Sequence, residues 1–171
     1  MPESLPTWLI SVLTGGLAAA ILTLFINWRK AKNDKKQAKL AYVNALKQEL
    51  LHSLWLIDYN YNRITSKELL CKALTFIKTA NVERILFGTE ISLPLEYDEL
   101  RGYLGQMAYH NSAVAEYTAL TPNGQTANYR ISLLHEIAAI CTPNDTYKDR
   151  LEPSPRARIN KLLNDLSKIK L

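Results

Sequence analysis

Arg130 and His135 are the residues of this chain whose types and spacing best suit chemistry. They stand in Arg130-Ile131-Ser132-Leu133-Leu134-His135, directly after the polar run TPNGQTANY. A guanidinium keeps its charge at any physiological pH and stabilises charge on a phosphate. An imidazole titrates near neutrality and carries a proton to or from a reacting group. The plain alternative is a surface arginine and a hydrogen-bonded helix histidine. Other signatures are missing from the sequence. It has no glycine-rich phosphate loop, no HExxH, no GxSxG and no Cys/His zinc pattern. No cofactor and no metal are expected. Cys71 and Cys141 lie far apart and read as reduced thiols. His52 and His110 fall near Tyr59, Tyr61 and Tyr109 and read as packed or capped side chains. Asp58-Tyr59-Asn60-Tyr61-Asn62-Arg63 forms a polar and aromatic cluster at a helix end. Glu96, Asp98 and Glu99 suit the first turn of a helix, where the macrodipole favours carboxylates.

Helices must position these groups. No segment sustains the period-2 alternation of a strand, so an all-α fold is expected, with about five helices after the N-terminal region. Neither Gly nor Pro occurs between Gly16 and Gly88, which permits one long helix. Within 38–62, Val43, Leu46, Leu50, Leu54 and Ile57 make an apolar stripe close to a heptad. It fits an ordinary bundle helix, with a helical neck joining several copies as the sharper alternative. Thr65-Ser66-Lys67-Glu68 reads as a capping box, starting a helix through Leu69, Leu70, Ala73, Leu74 and Ile77. A short helical turn is expected within 82–93. Pro94 suits the first turn of a helix over about 95–119, with Leu100, Tyr103, Leu104, Met107, Val114 and Tyr117 inward. Thr121-Pro122-Asn123-Gly124 is a turn. A helix over about 126–141 carries Ile131, Leu134, Ile137, Ala138 and Cys141 inward. Ser154 then Pro155 starts the last helix, with Ile159, Leu162, Leu163, Leu166 and Ile169 on its apolar face.

Charge divides the chain sharply. All 21 Lys and Arg follow Trp28. Residues 29–39 hold six cations (Arg29, Lys30, Lys32, Lys35, Lys36, Lys39) and one acid, Asp34. Before them, residues 8–28 form an uncharged apolar run bracketed by Trp8 and Trp28, long enough to cross a bilayer. A signal peptide would want a basic leader, which is missing, and a core helix would not end in such a cationic block. The expected organisation is a short extracytoplasmic tail (1–7), a transmembrane helix (8–28), a basic juxtamembrane segment (29–39) and a cytoplasmic helical domain (40–171). Cations on the C-terminal flank place the N-terminus outside. They suit anionic lipid head groups better than nucleic acid. Ser11, Gly15, Ala19, Thr23 and Asn27 recur every four residues, a stripe that suits close helix association in a membrane and so a homo-oligomer.

The Arg-x4-His, late in an all-α domain, resembles the signature of the HEPN superfamily. That resemblance implies a bundle of four or five helices. In ribonuclease members the Arg and His of two subunits meet at a dimer interface and cleave RNA, which assigns those roles to Arg130 and His135. Ile131 stands where the family usually has Asn, Asp or His, as in a degenerate site. One span, a basic stop and a HEPN-like domain together resemble the membrane accessory proteins of type VI-B CRISPR systems. This implies an oligomeric protein of the inner (cytoplasmic) membrane that serves antiviral defence, with permeabilisation as one output. Its implied partners are the lipid bilayer, further copies of itself, and RNA or an RNA-guided defence complex. A membrane-tethered ribonuclease and a non-catalytic scaffold for a soluble partner are the alternatives.

Overall fold

The structure, a computed structural model, describes residues 7–66, 74–88, 93–120, 126–143 and 153–169, without the side chains of 7–15, 17 and 18. Among the described residues it is all-helical and has no strand. Five helices follow in order: α1 (Thr7–Thr65), α2 (Ala80–Phe87), α3 (Tyr97–Ala119), α4 (Ala127–Cys141) and α5 (Pro155–Lys168). The chain divides into two units, Met1–Ala41 and Tyr42–Lys170.

In the first unit, every residue from 19 to 38 is exposed. These include Ile21, Leu22, Leu24, Phe25, Ile26 and Trp28, the last 59% exposed. At about 100° per residue these side chains cover a little over half of the helix circumference, and Ala19, Ala20, Thr23 and Asn27 fill the remaining arc, so no side of this stretch carries charge. Among the described residues no helix is long and apolar enough to cross a membrane. Half of the expected 8–28 span lies outside the residues whose side chains are described, Ser11 and Gly15 with it.

In the second unit, α3 packs against α2, α4 and α5. The C-terminal part of α1 completes the core with Val43, Leu46, Leu50, Leu56 and Ile57, all buried. The heptad-like stripe therefore faces this chain's own bundle, and the neck built on it is corrected. A polar thread crosses the same core. The Tyr103 hydroxyl donates to Ser53 Oγ (2.8 Å), which donates to the Glu49 carbonyl (2.9 Å). The Glu49 carboxylate accepts from the backbone N–H groups of Asn81 (2.7 Å) and Val82 (3.1 Å). It satisfies two orphan donors at the α2 N-terminus from another helix.

Two helix boundaries have clear stop or start chemistry. At Gly88, the α2 C-cap, an added Cβ would collide with the Arg84 carbonyl oxygen. At Ser154, the hydroxyl accepts from Ala157 N–H at 3.2 Å, with Pro155 in the first turn of α5. Ser154 is fully buried, so water cannot substitute for the lost acceptor. Ser154→Ala should cost about 1–2 kcal/mol, read as a lower denaturation midpoint.

Three expectations are corrected. Thr65, expected as an N-cap, is the last residue of α1: its hydroxyl donates to the carbonyls of Tyr61 (2.9 Å) and Asn62 (3.2 Å). Residues 74–79 are not helical, although Leu74 and Ile77 are buried as expected. Residues 67–73, with the rest of the expected helix, lie outside the described residues, as does the 121–125 turn. Ile131 is 52% exposed, and Leu133 and Ile140 take the inward positions of α4 beside Ile137 and Cys141.

Candidate functional site

Arg130 and His135 both lie on α4, about 140° apart around its axis. They are engaged differently. Arg130 Nη1 donates to the carbonyl of Leu120, the α3 C-cap, at 2.7 Å. Its guanidinium carbon sits 4.5 Å from the centre of the Tyr117 ring. A cation at a helix C-terminus meets carbonyls without helical partners and the negative end of the dipole. Arg130 thus ties the start of α4 to the end of α3. His135 is exposed, and so are Ser132 and Glu136 beside it. Within this chain the two are not brought onto one face.

The outer surface of α3 and α4 carries a pattern that sequence reading missed. Tyr109, Ser112 and Glu116 on α3 have the same spacing as Tyr129, Ser132 and Glu136 on α4. The helices run antiparallel, so each tyrosine reaches the other helix's glutamate. Tyr109 donates to Glu136 Oε2 at 2.8 Å, and Tyr129 donates to Glu116 Oε1 at 2.5 Å. The hydrogen bond to Glu116 raises the Tyr129 pKa from its ordinary value. Two Tyr-x2-Ser-x3-Glu runs in separate helices were the available signal. They read as unremarkable while each helix was taken alone.

The most enclosed polar group is a hub around His110. Asn60 and His110 are fully buried. Asn60 Nδ2 donates to the Thr75 carbonyl (2.8 Å), and Asn60 Oδ1 accepts from Thr75 N–H (3.0 Å). Two residues on, Asn111 Nδ2 donates to the Ile77 carbonyl (2.7 Å), and its Oδ1 accepts from Ile77 N–H (2.8 Å). Two carboxamides thus pair the 74–79 backbone as a neighbouring strand would, which is why it needs no helical hydrogen bonds. His110 joins them: Nε2 lies 3.1 Å from Asn60 Nδ2 and Nδ1 lies 3.2 Å from Asn111 Oδ1. Donor must meet acceptor, so Nδ1 carries the proton and Nε2 accepts. Burial lowers the His110 pKa, with the Asn111 hydrogen bond opposing it. Its expected role as a packed histidine is what the structure shows.

Charge elsewhere is used for packing. Glu99, in the first turn of α3, pairs with Arg158 (3.0 Å) and Lys161 (3.0 Å) of α5, and Lys161 also reaches Glu96 at 2.6 Å. Burial pushes the Glu99 pKa up, but Lys161 and Arg158 outweigh it and leave the carboxyl below its ordinary value. Asp58 pairs with Arg156. Of the six cations in 29–39, Arg29, Lys30, Lys32, Lys35 and Lys36 are exposed and Lys39 is half-buried. Among the described residues no cluster of three or more His, Cys, Asp or Glu is placed to hold a metal. Cys141 is buried with its thiol pushed up to about 12 by burial, so it is a poor nucleophile. Set beside family models, curated proteins and solved structures, the chain matches none of them.

Proposed function

We propose that this chain is an oligomeric single-pass membrane protein that serves as an accessory or effector of antiviral defence at the inner membrane. The observation that carries the anchor is the broad exposed apolar side of α1 at Ile21, Leu22, Leu24, Phe25, Ile26 and Trp28, with no charge anywhere on its circumference between 19 and 28 and exposed cations directly after it. An exposed apolar side this wide on an uncharged helix needs an apolar surround. Lipid supplies one, and residues 8–28 complete the length. Trp28 fits the head-group boundary: it lies against Phe25 (6.0 Å between ring centres), and Lys32 Nζ sits 5.4 Å from its ring. With the N-terminus outside, the Tyr42–Lys170 unit is cytoplasmic.

Association runs along the Ser11, Gly15, Ala19, Thr23, Asn27 stripe. Thr23 already spends its hydroxyl proton on the Ala19 carbonyl at 2.8 Å, so packing of small residues carries most of the contact. The defence role rests on the resemblance to the membrane accessory proteins of type VI-B CRISPR systems alone, with membrane permeabilisation as its output. Carbonate washing and flotation of the full chain test the anchor: it should stay with the membranes, and recovery in the wash without detergent overturns the reading. Gly15→Leu with Ala19→Leu should reduce the oligomer's mass in detergent, and an unchanged mass removes the stripe.

The exposure of His135 favours a second reading, a membrane-tethered ribonuclease using Arg130 and His135. His135→Ala is the clean variant, because Arg130→Ala also releases the α3 terminus. RNA cleavage by the wild type that His135→Ala abolishes would establish this reading. A wild type without cleavage leaves the accessory role, or that of a non-catalytic scaffold for a soluble partner.

A further inference from the structure

Helix α1 has a second face in the Tyr42–Lys170 unit. Its core stripe holds Val43, Leu46, Leu50, Ser53, Ile57 and Asn60, all buried. On the opposite side lie Ala45, Gln48, His52, Trp55, Tyr59 and Asn62, spaced 3-4-3-4-3. If Ala45 is given heptad position a, these six fall on a and d, while the stripe just named falls on b and f, around the back of the helix, and buried Leu56 falls on e. The residues exposed between 42 and 62 are Asn44, Ala45, Gln48, Leu51, His52, Trp55 and Asn62. None is Lys, Arg, Asp or Glu, in a chain where those four make up 22% of residues. A solvated helix face is normally where charge collects.

The large side chains on this face are ordered in advance. His52 stacks on Trp55 (5.7 Å between centres) and Trp55 on Tyr59 (5.2 Å), and the Arg63 guanidinium sits 4.0 Å from the Tyr59 ring centre. Trp55 is nevertheless 56% exposed and Leu51 49%. A pre-stacked rail loses little rotamer freedom on contact, and Trp, Tyr and Arg are the residue types that dominate interface energies. Because each ring lies against its neighbour, this is a continuous ridge and not a set of open slots for nucleic-acid bases.

We infer that the Ala45–Gln48–His52–Trp55–Tyr59–Asn62 face is a contact surface for a second copy of this chain. The inference rests on the membrane-anchored oligomer proposed above. The a and d positions carry no charge of their own, with Asp58 at g and Arg63 at e flanking them, and a 3.5-residue repeat is complementary to itself in a parallel pair. Anchoring gives every copy the same orientation and a high effective concentration, so that two such helices meet in parallel. The polar a and d residues Gln48, His52 and Asn62 fix register and keep the contact weak enough to need the anchor.

Disulfide trapping in membranes holding the full chain tests this. Gln48→Cys occupies a seam position, and Lys47→Cys, one residue round the helix, is the control, both in a Cys71→Ser background. Buried Cys141 stays silent. On mild oxidation Gln48→Cys should form covalent dimer at least tenfold faster than Lys47→Cys, and Trp55→Ala should slow it. Equal rates, no dimer at Gln48, or an adduct of any mass other than twice the chain overturns the inference. Trapping at Gly15→Cys in parallel reports on the anchor stripe by itself. If the chain proves soluble, the anchor fails, and the ratio of Gln48 to Lys47 rates at a protein concentration raised to replace the anchor's effective concentration still decides the seam.

Discussion

Asn60→Ala is expected to lower stability by roughly 3–5 kcal/mol, a large share of what a domain of this size has. One side chain makes three bonds in a fully buried place: two to the Thr75 backbone and one to His110. Truncation strands His110 Nε2 in a fully buried place and unpairs the N–H and carbonyl of half-buried Thr75, and each unpaired buried group costs about 1–3 kcal/mol. Asn60→Leu would fill the volume and leave the same groups unpaired, so it should do little better. Urea or thermal denaturation in detergent gives the total. Amide exchange at Thr75 and Ile77 gives the local part, because Asn111 still grips Ile77 after Asn60 is gone. Thr75 exchange should therefore accelerate more than Ile77 exchange. Equal acceleration at both would mean that the segment opens as one unit.

Acid should weaken the same hub. A protonated His110 presents Nε2–H to the Asn60 amide, donor against donor. Asn60 can turn its oxygen toward the ring only by reversing both bonds to Thr75. The His110 pKa is lowered in the fold, so below the ordinary histidine value of about 6.5 the unfolded chain takes up the proton first. Stability is then complete above pH ~6.5 and falls with pH by up to about 1.4 kcal/mol per unit, until His110 itself protonates in the folded state. No charged side chain contributes to the shift; burial and Asn111 account for it. His110→Gln can accept from Asn60 and donate to Asn111 without titrating. It should flatten the loss between pH 6.5 and 5, measured as the denaturation midpoint against the wild type. Glu99, whose pKa is lowered from an ordinary value near 4.5, gives up its contribution only at more acidic pH, so the two losses separate along the titration.

Local rules made much of this fold readable. Ser154 followed by Pro155 announced α5 because a cap and its helix are neighbours in sequence. The Val43–Ile57 spacing announced an inward face because helical periodicity is likewise local. What stayed hidden was settled between residues far apart. Leu74 and Ile77 satisfy a helical spacing and an irregular extended segment equally well. Asn60 and Asn111, fifteen and thirty-four residues from their partners, decide between the two. Arg130 was legible as a cation at the right distance from His135, but its bond to Leu120 depends on how α3 ends. Ile131 took the outer side of α4 because Leu133, Ile137 and Ile140 together define a deeper face. The 3-4-3-4-3 outer stripe of α1 from Ala45 to Asn62, itself uncharged, was written in the sequence throughout. It became meaningful only once the inner stripe had been used up by the chain's own core.

The reciprocal tyrosine–glutamate bonds between α3 and α4 have a mechanical consequence. Two clasps of the same kind, about two turns apart along one antiparallel pair, make the alignment self-centring. Sliding α4 by a turn in either direction stretches both at once, and neither glutamate then finds a tyrosine of the opposite helix in register. The pair resists shear with four surface side chains, so the interior of that interface is left free to be plain hydrocarbon.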